Sequence, residues 1–184
     1  PAAPPVPIYL AALGEQSVRL AGELADGWVP FMYPRSHLAL GLGRLREGAA
    51  RAGRADRLPL VCPSVPTVVA EDAARAREGA AWFVAFYVVN MGTLYRQSLA
   101  RQGFGQEVDA VLAANTPKVA GAVPPEAEKL LEELTVFGTP AEARQRLASW
   151  HAAGAELPIL LLRPGLAPEE IESTFKALRP GATA

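Results

Sequence analysis

Residues 7–30 read PIYLAALGEQSVRLAGELADGWVP, and no other stretch limits the fold more. Pro7–Ala12 is continuously apolar, the pattern of a strand buried on both faces of a parallel sheet. Gly14 ends it. From Ser17 to Ala25, Val18, Ala21 and Ala25 share one helical face with Leu20 and Leu24 beside them, and Gly27 stands where a helix C-terminus favours glycine. Trp28–Val29 then opens a second strand. Strand, turn, helix and strand in immediate succession form the repeating unit of α/β proteins. Such proteins bind ligands at the carboxyl ends of their strands, where Gly14 falls.

The same alternation continues downstream. Ser36 is expected to cap a helix carrying Leu38, Leu42, Leu45 and Ala49 on one face and stopped by Gly53. Residues 58–70 form a β-branched run interrupted by Pro63 and Pro66, expected as one bent strand. Asp72 caps a mostly helical region over 72–118, broken near Asn90 and Gly92 and longer than one barrel helix needs. Pro124 and Pro125 open a helix through LLEEL, and a brief strand follows at Val136–Phe137. Thr139-Pro-Ala-Glu142 is a capping box with proline at the first helical position, so a helix is expected over 140–153. Gly154 ends it. Leu157–Leu162 is an unbroken apolar run expected as a buried strand, and Pro168 starts a last helix through Leu178. The expected fold is α/β, with about four strand-helix units, an extra helical insertion and right-handed crossovers. Residues 1–7 read as a proline-rich linker and 8–180 as one domain.

The 184 residues suffice for one sizeable core but fall short of the roughly 250 of a complete (β/α)8 barrel. The 18 basic and 19 acidic side chains are interspersed and nearly cancel, which argues against nucleic acid or an anionic membrane as partner. No apolar run approaches the roughly 18 residues of a spanning helix. A lone cysteine, Cys62, and an N-terminus without a secretory pattern make a reducing cytoplasm the expected compartment. Two distant histidines and one cysteine do not match any metal-ligand spacing, so no metal is expected.

The run PIYLAALG followed by ADGW resembles the luciferase-like monooxygenase superfamily, in particular its branch using the deazaflavin coenzyme F420. Further similar features are FYVVNMGTLYRQSLARQGFG at 86–105 and FGTPAEARQRLASWHAAGA at 137–155. The resemblance implies a partial (β/α)8 TIM barrel, the C-terminal half, and an oxidoreductase or monooxygenase moving hydride between coenzyme F420, or alternatively FMN, and a small organic substrate. It implies that the early strands are missing and come from a second copy, in a homo-oligomer, or from a complementary N-terminal half. A non-catalytic, flavin-binding or structural relative is the other reading.

Cofactor-binding candidates are Leu13, Gly14, Glu15, Gln16 and Ser17. Glycine lets backbone approach a ligand, and the first amides of the helix can receive the phosphate of the cofactor tail; a plain strand-to-helix turn is the alternative. Relatives often carry Pro-Lys after this glycine, where Glu15-Gln16 stand here. Phe31, Met32 and Tyr33 follow the second strand and are expected to line an apolar substrate pocket, which disfavours a sugar phosphate. Arg163, after the last strand, is either a contact for cofactor or substrate acid or an ordinary surface arginine. Asp26 is expected to hydrogen-bond at the helix end. His37 and His151 are expected in helices away from strand ends, and Trp82, Phe83, Phe86 and Tyr87 recur at helical spacing as core or interface. No catalytic residue is nominated.

Overall fold

The computed structural model describes residues 6–181, so most of the proline-rich segment lies outside the described residues. Strand β1 (Tyr9–Leu10) leads through Gly14 into helix α1 (Glu15–Leu24), then β2 (Gly27–Trp28), helix α2 (Leu38–Arg51) and β3 (Leu60–Val61). All pairings are parallel, Leu10 beside Trp28 and Trp28 beside Val61. The bent strand expected over 58–70 is two strands, β3 and β4 (Ser64–Val69), parted by Cys62-Pro63, because Pro63 has no N–H for the ladder.

Leu60–Val69 still behaves as one lane. On one edge the amides of Leu60, Cys62 and Ser64 donate to the carbonyls of Asp26, Trp28 and Pro30 at 2.8–2.9 Å. On the other edge the carbonyls of Val61 and Pro63 accept from Leu157 and Ile159, and β4 pairs with β6 (Ile159–Leu161). Strand β5 (Val136–Gly138) attaches only to the far end of β4, with Phe137 beside Val68. The lanes therefore run β1, β2, β3 with β4, then β6. Parallel lanes in chain order are the wall of a (β/α)8 barrel rather than a doubly wound sheet, and four of them make about half of one. The fold is a partial barrel.

Helices α1 and α2 cross so closely that a Cβ on Gly22 would collide with the backbone of Leu45, and one on Gly48 with the carbonyl of Arg19. They bury Val18, Ala21 and Leu45 with Trp28, Val61, Val65 and Trp150. Helix α7 (Pro140–Ala152), capped as expected by Thr139 and Glu142, and α8 (Pro168–Leu178) cover the later lanes. The insertion comprises α3 (Ala73–Asn90), α4 (Leu94–Leu99), α5 (Gly105–Ala114) and α6 (Glu128–Leu134). It has its own core around Val84, Val88, Leu99, Phe104, Leu130 and Leu131. Asp72 caps α3 by accepting from the amides of Ala74 and Arg75. The helical region ends at Ala114 rather than 118, breaks at residues 91–93, and passes through a wide π-type turn at Ala100–Phe104, where Gly103 has φ of 88°.

Two other expectations need correction. Ser36 does not cap α2: residues Arg35–His37 form a 3₁₀ turn, the Ser36 amide donates to Glu133 of α6 at 2.7 Å, and its hydroxyl meets His37 Nδ1. A long-range partner displaced the local cap. The run 157–162 is not a buried strand throughout, since Leu157 is 52% and Ile159 41% exposed, as are Ile8 (56%) and Tyr9 (44%) at the opposite lane. Among the described residues β1 and β6 each have a strand neighbour on one edge only, so apolar side chains made for an interior face outward. No helix among the described residues is long and apolar enough to cross a membrane.

Candidate functional site

Where β1 and β2 end, a cleft of about 680 Å³ opens against the insertion. Its floor is the Leu13-Gly14 turn. The Trp28 indole donates to the Ala12 carbonyl at 2.9 Å and fixes the approach to that turn. Gly14 is the extended N-cap residue of α1, with no side-chain cap on the helix, and its carbonyl accepts from the Val18 amide and the Ser17 hydroxyl. The amides of Glu15, Gln16 and Ser17 are therefore first-turn donors with no partner inside the helix, at its positive end.

Glu15 sits where an anion would approach, but its charge is compensated. Arg44 reaches Glu15 at 3.0 Å and Glu47 at 3.3 Å, while Arg19 reaches Glu47 at 2.6 Å and Glu15 at 3.5 Å. Two guanidinium groups and two carboxylates close a neutral cluster on the α1–α2 surface. The hydrogen bond from Arg19 holds the Glu47 carboxyl below the usual range and raises Arg19 in turn.

Tyr33 stands edge-on to Trp28, ring centres 5.3 Å apart, and lines the same cleft. Burial raises its hydroxyl above the ordinary tyrosine value; Arg44 opposes and Glu15 assists. It stays protonated at neutral pH and is available as a donor. The far wall comes from the insertion: Leu94, Ser98, Arg101 and Gln102. The Arg101 Nε donates to the Gln97 carbonyl at 3.1 Å, and among the described residues no carboxylate lies within ion-pair distance of it.

The sequence candidates divide. Leu13, Gly14, Glu15, Ser17 and Tyr33 share this cleft; Gln16 is in the same helical turn but outside the lining. Phe31 packs edge-on against Tyr87 and Tyr95 of the insertion, and Met32, 1% exposed with φ of 50°, is turned into the insertion core. Arg163 is exposed after β6 and lines a different cleft, about 590 Å³, beside the Arg75–Glu170 ion pair between α3 and α8. The three-residue pocket wall expected at 31–33 thus reduces to Tyr33, because a polypeptide leaving a strand points successive side chains in different directions. Asp26 accepts from the Ile8 amide at 2.9 Å and pins β1. His151 Nδ1 lies 2.8 Å from the Ala155 carbonyl, closing a helix end. Trp82 stacks on Phe86 with ring centres 5.2 Å apart, and Phe83 is buried.

Sequence reasoning missed His37, Arg44, Ser98, Arg101 and Gln102 as lining residues. His37 was expected away from any strand end, yet the 3₁₀ turn carries it to the rim. The available signal was the surplus of helix between 72 and 118. It announces an insertion without saying where that insertion docks.

The family model for luciferase-like monooxygenases matches residues 1–157. A relative from Mycobacterium tuberculosis that bears the name coenzyme F420-dependent oxidoreductase is 30% identical over 165 residues, 84% of this chain and 47% of that protein. The coenzyme F420-dependent tetrahydromethanopterin reductase of Methanopyrus kandleri superposes with a TM-score of 0.70 at 17% identity, over 97% of this chain and 51% of that one. A type II Baeyer–Villiger monooxygenase component from Pseudomonas putida, solved in complex with FMN, gives 0.60 at 15% identity, over 95% and 47%. This chain spans about half the length of the curated relatives it matches.

Proposed function

The chain belongs to the luciferase-like monooxygenase family, and from that premise we propose that it forms the phosphate-holding half of an oxidoreductase site. The reaction is hydride transfer between coenzyme F420, with FMN the alternative cofactor, and a small organic substrate. One observation carries the reading: the uncapped first turn of α1 opens into a 680 Å³ cleft whose opposite wall presents Arg101. The residues fit a phosphorylated cofactor tail. The amides of Glu15, Gln16 and Ser17 hold the phosphate, Arg101 adds a cation from across the cleft, and the pairing of Glu15 with Arg44 removes the repulsion its carboxylate would exert. The bound cofactor supplies the ring that gives or takes hydride. Tyr33 donates a hydrogen bond to the bound molecule, and the docked insertion excludes water. The half-barrel is completed by a second copy of the chain or by a complementary half, because β1 and β6 leave apolar side chains exposed.

Fluorescence titration with F420 and FMN, beside native mass spectrometry of the same sample, tests this. The chain in its native assembly binds one or both, and Arg101→Gln weakens FMN about tenfold while leaving riboflavin, which lacks the phosphate, unchanged. No binding of either cofactor in any assembly overturns the reading and favours the structural relative.

A further inference from the structure

The second cleft, of about 590 Å³, opens where β4 and β6 end and shares no lining residue with the Gly14 cleft. Strand β6 pairs with Ser64–Pro66 and stops there, while β5 holds the opposite edge of Thr67–Val69. The lining comes from that end of β4, from α3 with the neighbouring segment 120–123, and from the stretch that runs from Arg163 into α8. The carboxyl ends of adjacent parallel strands are where α/β proteins receive ligands.

Among the described residues five charged side chains line this cleft: Arg75, Arg77, Glu78, Arg163 and Glu170. Arg75 pairs with Glu170 at 3.0 Å, and Arg77 is held by Glu128 of α6 and by the Val123 carbonyl. Arg163 and Glu78 are left over. Among the described residues neither has an opposite charge within ion-pair distance, the other of the two included. One cation and one anion therefore line the same cleft from different elements, too far apart to neutralise each other. Trp82 follows Glu78 by one turn of α3 and lines the cleft beside it. Its indole is fixed in place, stacked on Phe86 and pressed at Cδ1 by Gly121. Buried Asn115 in turn holds that segment, accepting from the Ala120 and Ala122 amides at 3.0 and 3.1 Å. A carboxylate beside an aromatic ring suits an ammonium group, and a guanidinium suits a carboxylate. A ligand with only one of these charges leaves either Arg163 or Glu78 unmatched.

We propose that this cleft binds a small zwitterion bearing a primary ammonium and a carboxylate, with the carboxylate on Arg163 and the ammonium against Glu78 and Trp82. The site is independent of the reading of the Gly14 cleft. Of the three tryptophans, Trp28 and Trp150 are buried and Trp82 is 36% exposed, so a change in emission reports on this cleft. The probes are glycine, γ-aminobutyrate and ε-aminohexanoate, none of which absorbs with tryptophan, each beside the acid and the amine of the same chain length, at low ionic strength. At least one zwitterion changes the emission and saturates at about millimolar concentration, about tenfold below its acid and its amine. Arg163→Gln removes the advantage over the amine, and Glu78→Gln the advantage over the acid. Both side chains are exposed, so the melting temperature of each variant is unchanged. Trp82→Phe abolishes the emission change, yet calorimetry still finds the zwitterion within about threefold of the unaltered chain, because a ring remains. The proposal is overturned if no zwitterion saturates by emission or by calorimetry, if none binds more tightly than its matched acid and amine, or if the two variants weaken all probes alike.

Discussion

Gly22 and Gly48 set the distance between α1 and α2, because each puts bare backbone against the backbone of the other helix. Gly48→Ala forces the helices apart and costs about 1–3 kcal/mol, read as a lower urea midpoint with an unchanged slope. The same separation displaces Arg19 and Arg44 relative to Glu15 and Glu47. Cys62 gives a second test at this scale. It is fully buried between β3 and β4, and burial, assisted by Glu156, pushes its thiol above the ordinary value. Iodoacetamide labels it only after unfolding, so the labelling rate at pH 8 rises steeply across the urea transition.

Among the elements, α7 has the clearest local instructions. Thr139 accepts from the Glu142 amide while Glu142 accepts from the Thr139 amide at 2.8 Å. Thr139→Ala lowers stability by about 1 kcal/mol in a urea melt. The Thr139 amide and hydroxyl hold the Glu142 carboxyl below the ordinary glutamate value. Its contribution is therefore complete above the unfolded value and is lost as pH falls through the lowered folded one. The stability gap between the unaltered chain and Glu142→Ala closes on acidification. This cap was legible because all of its partners lie within four residues. The lanes were legible as apolar runs, and Gly14 as a strand end, for the same local reason. The displaced cap at Ser36 and the docking of the insertion were not, because each is decided by a distant partner, Glu133 and the cleft wall. Of the candidate site, the floor at 13–17 could be read from the chain, but the wall with Arg101 and Gln102 could not.

Across the whole molecule, the outer lanes decide behaviour in solution. Ile8 and Tyr9 at one end of the wall, and Leu157 and Ile159 at the other, are apolar and exposed. The expected outcome of analytical ultracentrifugation is self-association at about micromolar concentration, with Ile159→Lys shifting the distribution toward monomer. An unchanged distribution removes that lane as the contact. The lane Leu60–Val69 also imposes a timetable. Its pairing with β2 joins residues of the first third of the chain, whereas the Val61 amide meets the Glu156 carboxylate across 95 positions. During synthesis the first three lanes and the α1–α2 pair are on hand early. The far edge of the lane waits, unfilled, until the last strand leaves the ribosome, and through that interval it is the edge on which a wrong neighbour can settle.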